Sequence, residues 1–243
     1  ARICQGEFEK MDKSAAAEQA VRSALAVLTE GIVSAPLEGI ASVKIRENRD
    51  GSKHLAIYFA GPIRSAGGTA AALAVLIADY VRQKLHLDRY KATPDEMERF
   101  IEEADLYNRN VRLQYKPSPD EIRLALGKIG VEVTGEATDN IEITGHRDLD
   151  RIETNKLRGG AMLALCEGVL QKSAKILKIT KKNSIEGWEW LENVGFNKKT
   201  SVSEENRIAP NWKYLADIIA GRPIFSHPMA RGENIGLPAM MSA

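Results

Sequence analysis

Ala60-Gly-Pro-Ile-Arg-Ser-Ala-Gly-Gly-Thr-Ala-Ala-Ala-Leu73 is the stretch on which the fold turns. It grows out of Leu55-Ala-Ile-Tyr-Phe-Ala60, an apolar run that reads as a buried strand, and passes through Gly61-Pro62 into a helix of small residues. Strand, glycine turn and helix in that order lay out an anion site. Glycines let a backbone approach a ligand, the amides of a helix's first turn point outward, and Arg64, Ser65 and Thr69 stand beside Gly67 and Gly68. The competing reading makes Gly67-Gly68 a tight turn, Thr69 an N-cap and the alanines a surface for close packing.

On the amino-terminal side, Ile40, Val43 and Ile45 begin a strand that Asn48-Arg-Asp-Gly-Ser52 turns back into the Leu55–Ala60 run, a hairpin. Before it, Ser14 to Ile32 repeats apolar residues at helical spacing, and Ser34-Ala-Pro-Leu-Glu-Gly39 breaks that helix. On the other side, Leu73, Leu76, Ile77, Tyr80, Val81 and Leu85 continue the small-residue helix, with Arg82, Lys84, Arg89 and Lys91 read as a solvated face. Thr93-Pro-Asp-Glu96 and Ser118-Pro-Asp-Glu121 are helix starts, each with a cap, a first-turn proline and early carboxylates. The first of these helices runs to about Asn108, the second to about Gly130. Glu98, Glu102, Glu103 and Asp105 spread around the first and read as solvated rather than metal-binding. Val111–Tyr115 alternates like a half-buried strand, and Val131–Thr134 with Asn140–Thr144 reads as a second hairpin. Near it Glu136, Asp139 and Glu142 are explained by turn chemistry and an exposed strand face, with magnesium-binding carboxylates as the lesser alternative. The result is an α+β chain, helices packed on small antiparallel hairpin sheets.

The opening device recurs. Arg158-Gly159-Gly160 precedes another small-residue helix, Ala161 to about Ile179, so arginine beside paired glycine marks two helix entrances. Along this second helix Lys172, Lys175, Lys178 and Lys182 fall at three- and four-residue steps, with Lys181 beside them. Five lysines in eleven residues make the densest basic patch of the chain, suited to phosphate-backbone contact and otherwise a solvated face. Trp188 and Trp190 either stack bases or pack. Asn197–Ser203 reads as a polar linker, Trp212–Ala220 as a last helix, and Gly221–Pro228 as extended chain.

The 243 residues, 44% hydrophobic, suffice for a real core, and a net charge of +1 leaves any nucleic-acid surface to local clustering. No window approaches eighteen unbroken apolar residues, so no membrane contact and a cytoplasmic location are expected. Cys4 and Cys166 lie far apart, which argues against zinc clusters and disulfides. The absent initiator methionine points to an internal piece of something longer, although a processed start reads the same.

Several strings resemble the amino-terminal part of the large subunit of archaeal family D DNA polymerase: Thr29–Ile40, Ala60–Ala70, Asp105–Tyr107, Leu113–Glu121, Val133–Asp139, Glu153–Gly160, Glu167–Lys172 and Gly221–Pro228. The resemblance implies a replicative polymerase whose large subunit synthesises DNA with magnesium and whose small subunit carries a proofreading 3'–5' exonuclease. It also implies that aspartates of an Asn-Ala-Asp-Phe-Asp-Gly-Asp type string hold the metal, and no such string occurs here. The chain is therefore expected to be an accessory portion, KH-like over residues 1–195, with residues 196–243 a linker and the start of the next segment. No catalytic residue and no cofactor are expected within it. Its partners are expected to be template-primer DNA and the small exonuclease subunit. Arg64, Ser65, Gly67, Gly68, Thr69, Arg158, Gly159, Gly160, Lys172, Lys175, Lys178 and Lys182 are the expected phosphate contacts. The alternative role is a scaffold that docks the small subunit and the catalytic barrels. After Pro228 the sequence departs from the family, passing abruptly from Met229–Gly232 to Glu233–Pro238.

Overall fold

The Leu55–Ala60 run is the core of β2 (Lys53–Phe59), the middle strand of a three-stranded sheet in the computed structural model, which describes residues 2–7, 11–28 and 35–195. These residues all fall in a first unit, Ala1–Lys198. The linker, last helix and extended segment expected beyond Gly195 lie outside the described residues. Every β2 residue from His54 to Phe59 is buried, as befits a strand covered on both faces.

β1 (Ile40–Glu47) pairs antiparallel with β2 through the expected turn, in which Gly51 takes φ 80° and Asn48 N–H donates to the Ser52 carbonyl. The other edge of β2 corrects the sequence reading. β3 (Glu132–Gly135) pairs parallel with it, Ala56 opposite Glu132 and Phe59 opposite Gly135, and residues 140–144 form no second hairpin but a single bridge, Glu142 to Lys156. The sheet is thus mixed rather than built of antiparallel hairpins. All four β3 residues are buried although β3 is an edge strand of the sheet, and it pairs along the edge of β2 that β1 leaves free. A parallel pair needs a long crossover. Helices α3 to α5 supply it.

α1 (Lys13–Leu28) buries Ala16, Ala17, Ala20, Val21 and Leu25, and the Asp12 carboxylate accepts from the amides of Ser14 and Ala15 at its start. The Ser34–Gly39 break contains a short α2 (Ala35–Glu38). α3 (Ile63–Lys84) is the small-residue helix; its Ala70, Ala71, Ala72, Ala74 and Val75 are buried. α4 (Pro94–Val111) and α5 (Pro119–Lys128) both open with the full capping box, Thr93 with Glu96 and Ser118 with Glu121. α4 runs one turn further than expected and absorbs the start of the alternating Val111–Tyr115 segment, which is no strand. Its exit is set at Arg112, in the left-handed region at φ 62°, whose amide donates to the Asn108 carbonyl while the Asn108 side chain takes the amide of Leu113.

The second small-residue helix is three pieces. α6 (Gly159–Leu163) widens into a π-helical segment, Ala164–Leu170, and α7 (Ser173–Lys182) follows a bend at Gln171 and Lys172. The amide of Gln171 reaches back five residues to Cys166, the mark of the wider turn. That turn lays Glu167 and Gly168 against Gly68, Ala71 and Ala72 of α3. A 3-10 turn, Glu189–Asn193, closes the described chain. Trp188 is 1% exposed and its indole N–H donates to Asp79 at 3.0 Å, with Trp190 stacked on it, so Trp188 is core and offers no base a platform.

Loop 136–158 is tied to α4 by carboxylates. Glu102 accepts the amides of Thr144, Gly145 and His146, at 2.8, 2.8 and 3.0 Å. Burial pushes its carboxyl up, but these amides and the Thr144 hydroxyl outweigh burial and bring it down to about 2. Because the folded value lies below the ordinary 4.5, the stabilisation is complete above about pH 4.5 and fades as pH falls through 2. Glu102→Gln is therefore expected to lose less stability than the parent between pH 4.5 and 2 in acid unfolding. Superimposable acid profiles would show that the loop is held by other contacts.

Candidate nucleic-acid interface

Both arginine-flanked helix entrances lie at the end of β2, and they differ in what they offer. At the first, the chain makes one turn from Ile63 to Ala66 and then breaks at Gly67 (φ 80°, ψ 162°), a conformation reserved for glycine. The long part of α3 starts afresh at Gly68. A helix that restarts leaves its first amides without carbonyl partners in the preceding turn, and among the described residues no side chain caps them. Arg64, Ser65 and Gly67 are exposed, while Gly68 and Thr69 are half-buried. The Ser65 hydroxyl donates back to the Pro62 carbonyl at 2.8 Å, which turns it away from an outside ligand.

The two glycines divide the roles that the sequence left open. A side chain at Gly67 would meet nothing within 4 Å, so this glycine serves the backbone turn and leaves an opening. A Cβ at Gly68 would stand 2.3 Å from the Glu167 carbonyl oxygen, so this one serves the close crossing with the π-helical segment. The same Cβ position lies 3.3 Å from Cε of Lys172. The fold thereby places the first lysine of the basic stripe against the first helix entrance.

The second entrance is sealed, and Arg158, Gly159 and Gly160 drop out as outside contacts. Arg158 is 1% exposed; its Nε donates to both Glu103 oxygens at 3.1 and 3.2 Å, and its Nη1 to the Thr134 hydroxyl at 3.0 Å. Its guanidinium lies 4.7 Å over the Phe100 ring. The Gly159 amide donates to the Thr138 hydroxyl at 3.0 Å, and a Cβ there would meet Tyr107 Cε2 at 2.8 Å. Gly160 packs on Phe59 and the Ala60 carbonyl, directly beneath the first entrance. A buried guanidinium held by a carboxylate is a structural clamp, and no phosphate reaches it.

On α7 the stripe faces outward. Ser173, Ile176, Leu177 and Thr180 are buried, and Lys175, Lys178 and Lys182 stand exposed on the other side. Neither these three nor Lys172 nor Arg64 forms an ion pair with a described residue, whereas Lys181 is engaged by Glu192 at 2.8 Å. Of the four bases expected on a solvated face, Lys84, Arg89 and Lys91 are exposed, Lys84 over the Tyr80 ring, Arg89 donating to the Lys128 carbonyl and Lys91 meeting Asp50 at 2.5 Å, whereas Arg82 is buried against Asp79 at 2.8 Å. The α4 carboxylates likewise have protein partners. Glu98 pairs with Arg123, Asp105 with Lys116, and Glu103 with Arg99 and Arg158.

One buried polar group beside Gly159 at the second entrance escaped the sequence reading. Tyr107 follows Phe100 and Ala104 along the buried face of α4, a spacing that signals core, and it is 3% exposed. Burial pushes its phenol up, with Arg64 opposing and Glu167 and Asp139 reinforcing, so it stays protonated as a donor. The described residues hold no helix long and apolar enough to cross a membrane.

A family model described as the N-terminal part of DNA polymerase II large subunit DP2 matches residues 1–197, and one for the central domain of the same subunit matches residues 201–234. The DNA polymerase II large subunit of Methanothermobacter thermautotrophicus is 56% identical over 235 residues, covering 92% of this chain and 21% of the relative. That of Methanococcus maripaludis strain C5 is 53% identical over 251 residues, covering 95% and 22%. That of Pyrococcus furiosus is 51% identical over 264 residues, covering 95% and 21%. The chain spans about a fifth of the length of these relatives.

Proposed function

From the premise that the chain belongs to the DP2 family of DNA polymerase II large subunits, we propose that it is the accessory amino-terminal part of a replicative family D DNA polymerase. In this reading the whole enzyme synthesises DNA with magnesium and associates with a small subunit bearing 3'–5' exonuclease activity, in the cytoplasm. The present chain holds template-primer. Order supports a KH-like framework: helix, two strands, helices and a third strand, in a mixed sheet. The joint Leu87–Thr93 has no G-x-x-G loop, so RNA clamping of the KH kind forms no part of the proposal.

The observation that carries it is a set of cations without ion-pair partners among the described residues: Arg64 in the first turn of α3, Lys172 against Gly68, and Lys175, Lys178 and Lys182 on the exposed side of α7. From Lys172 to Lys182 a helical rise of about 1.5 Å per residue gives roughly 15 Å, the axial length of about four base pairs. Five phosphate contacts give a log–log salt slope of about −4.5, and removing four of them leaves about −1. Replacing Lys172, Lys175, Lys178 and Lys182 together by glutamine is expected to flatten the slope accordingly and to weaken primer-template binding at least about tenfold at low salt. Titration by fluorescence anisotropy at several salt concentrations checks it. A slope that ignores these substitutions defeats the nucleic-acid reading.

A second reading, a scaffold that docks the small subunit or the catalytic barrels, draws on a different face. A groove of about 720 Å³ lies between α1, α3 and α7, lined by Ala20, Ala24, Leu73, Tyr80 and Ile179, with Val27 77% and Leu28 56% exposed at its edge. Capture of the small subunit that fails when Val27 is made aspartate, with DNA affinity unchanged, selects this reading.

A further inference from the structure

The exit of α4 is strained. Arg112, its C-terminal cap, stands at φ 62° and ψ 113°, a conformation that side chains rarely adopt and that a helix end ordinarily gives to glycine. Its amide donates to the Asn108 carbonyl, and the next amide, of Leu113, to the Asn108 side chain at 3.1 Å, so the turn is held by two bonds to one residue. The described residues include four non-glycine positions with positive φ, His86, Arg112, Asp148 and Ser184, and Arg112 is the one arginine or lysine among them. It is exposed, and its guanidinium has no ion-pair or hydrogen-bond partner among the described residues. The helix macrodipole does not call for it, since Arg109 already places a cation in the last turn of α4.

The strained turn leads the chain to the crossing of α3 with the π-helical segment. Two residues on, the Gln114 amide donates to Glu167 Oε1 at 2.8 Å, and the carbonyl oxygen of the same Glu167 is the atom against which Gly68 packs. Lys172 closes on that Gly68 position from the other side, its Cε 3.3 Å away. At most about 7 Å of extended chain separates Arg112 from Gln114, so Arg112 and Lys172 are brought to one neighbourhood by Glu167. Building on the nucleic-acid reading above, we propose that the DNA-contacting surface continues from α7 over Lys172 onto the α4 exit, where Arg112 contacts a backbone phosphate. The turn is neither helix nor strand, the elements that enter a major groove, so its contact falls to the backbone and carries no sequence preference. The strain persists because the Asn108 bonds fix the turn, and what it secures is a cation beside Lys172.

Counting Arg112 raises the phosphate contacts from five to six, so the parental log–log salt slope becomes about −5.4 and the four-lysine variant keeps about −1.8. Arg112→Gly in the 243-residue chain removes the charge and relieves the backbone. Its thermal midpoint is expected to equal or exceed the parent's, while primer-template affinity falls about tenfold at low salt, equally on different sequences, and the slope loses about 0.9 in magnitude. Arg112→Gln leaves the turn strained and changes only the charge, so it should lose the same slope, and Arg112→Lys should retain it. Stability and affinity moving in opposite directions mark a DNA contact, because a merely structural arginine would lower the midpoint and leave the slope alone. Parental slopes in Arg112→Gly and Arg112→Gln, with the four-lysine variant still flattening its own, would overturn the contact at Arg112 alone. An unchanged slope in the lysine variant would remove the nucleic-acid reading beneath it.

Discussion

Glu103→Ala is expected to cost about 3 to 5 kcal/mol of folding stability and to lower the thermal midpoint by roughly 10 °C. Glu103 is wholly buried, and two guanidinium groups depend on it: Arg99 at 2.5 Å and Arg158 at 3.0 Å, themselves 0% and 1% exposed. Its other oxygen also takes the Arg158 amide at 3.1 Å. Removing the carboxylate leaves two positive charges in a low-dielectric interior with no counter-charge, the circumstance in which breaking an ion pair is most costly. Arg99 in turn donates to the carbonyls of His146 and Thr154 at 2.7 and 2.9 Å, so the loop after β3 loosens with it. Glu103→Gln keeps an acceptor but not the charge and should fall between parent and alanine. Chemical denaturation of the three proteins checks the order. A Glu103→Ala protein within about 1 kcal/mol of the parent would mean that the guanidinium groups find other partners.

Gly68→Ala is expected to cost about 2 to 3 kcal/mol, from a single added methyl group. The new Cβ would stand 2.3 Å from the carbonyl oxygen of Glu167 and 3.0 Å from its carbon, both backbone atoms that no rotamer change can remove. α3 and the π-helical segment must separate, and on the facing side Gly168 already lies 3.2 Å, measured at its missing Cβ, from the Ala72 nitrogen. The separation also draws Lys172 away from the start of α3, so DNA affinity should fall together with stability. A urea midpoint equal to the parent's would show that the crossing has slack.

What the sequence disclosed follows from how local each signal is. Both capping boxes, the Asn48–Ser52 hairpin and the small-residue helix after Phe59 depend on neighbours a few residues apart, and all are present. The parallel pairing of β3 was not legible, because alternation reports a strand's faces and not its partner; α3, α4 and α5 lie between β2 and β3 in sequence. Arg158 misled for a related reason. An arginine and two glycines at a helix entrance look alike whether open or shut, and the residue that shuts this one, Glu103, sits on another helix among carboxylates that read as solvated. The lysine stripe was legible because helical spacing alone sets its direction, whereas its meeting with Gly68 depended on the π-helical turn. Tyr107 was hidden by its own spacing, that of a core residue.

The mixed sheet also bears on how the chain emerges from a ribosome. Phe59 is synthesised long before Gly135, its partner across the parallel edge, so for 76 residues of elongation (135 − 59) the middle strand has one side uncovered. At a synthesis rate of roughly 5 to 20 residues per second that wait lasts several seconds, far longer than a hairpin takes to form. The nascent β1–β2 ribbon must therefore be sheltered by α1 and α3 alone, and a delay in making α3 would leave an apolar edge open to other nascent chains.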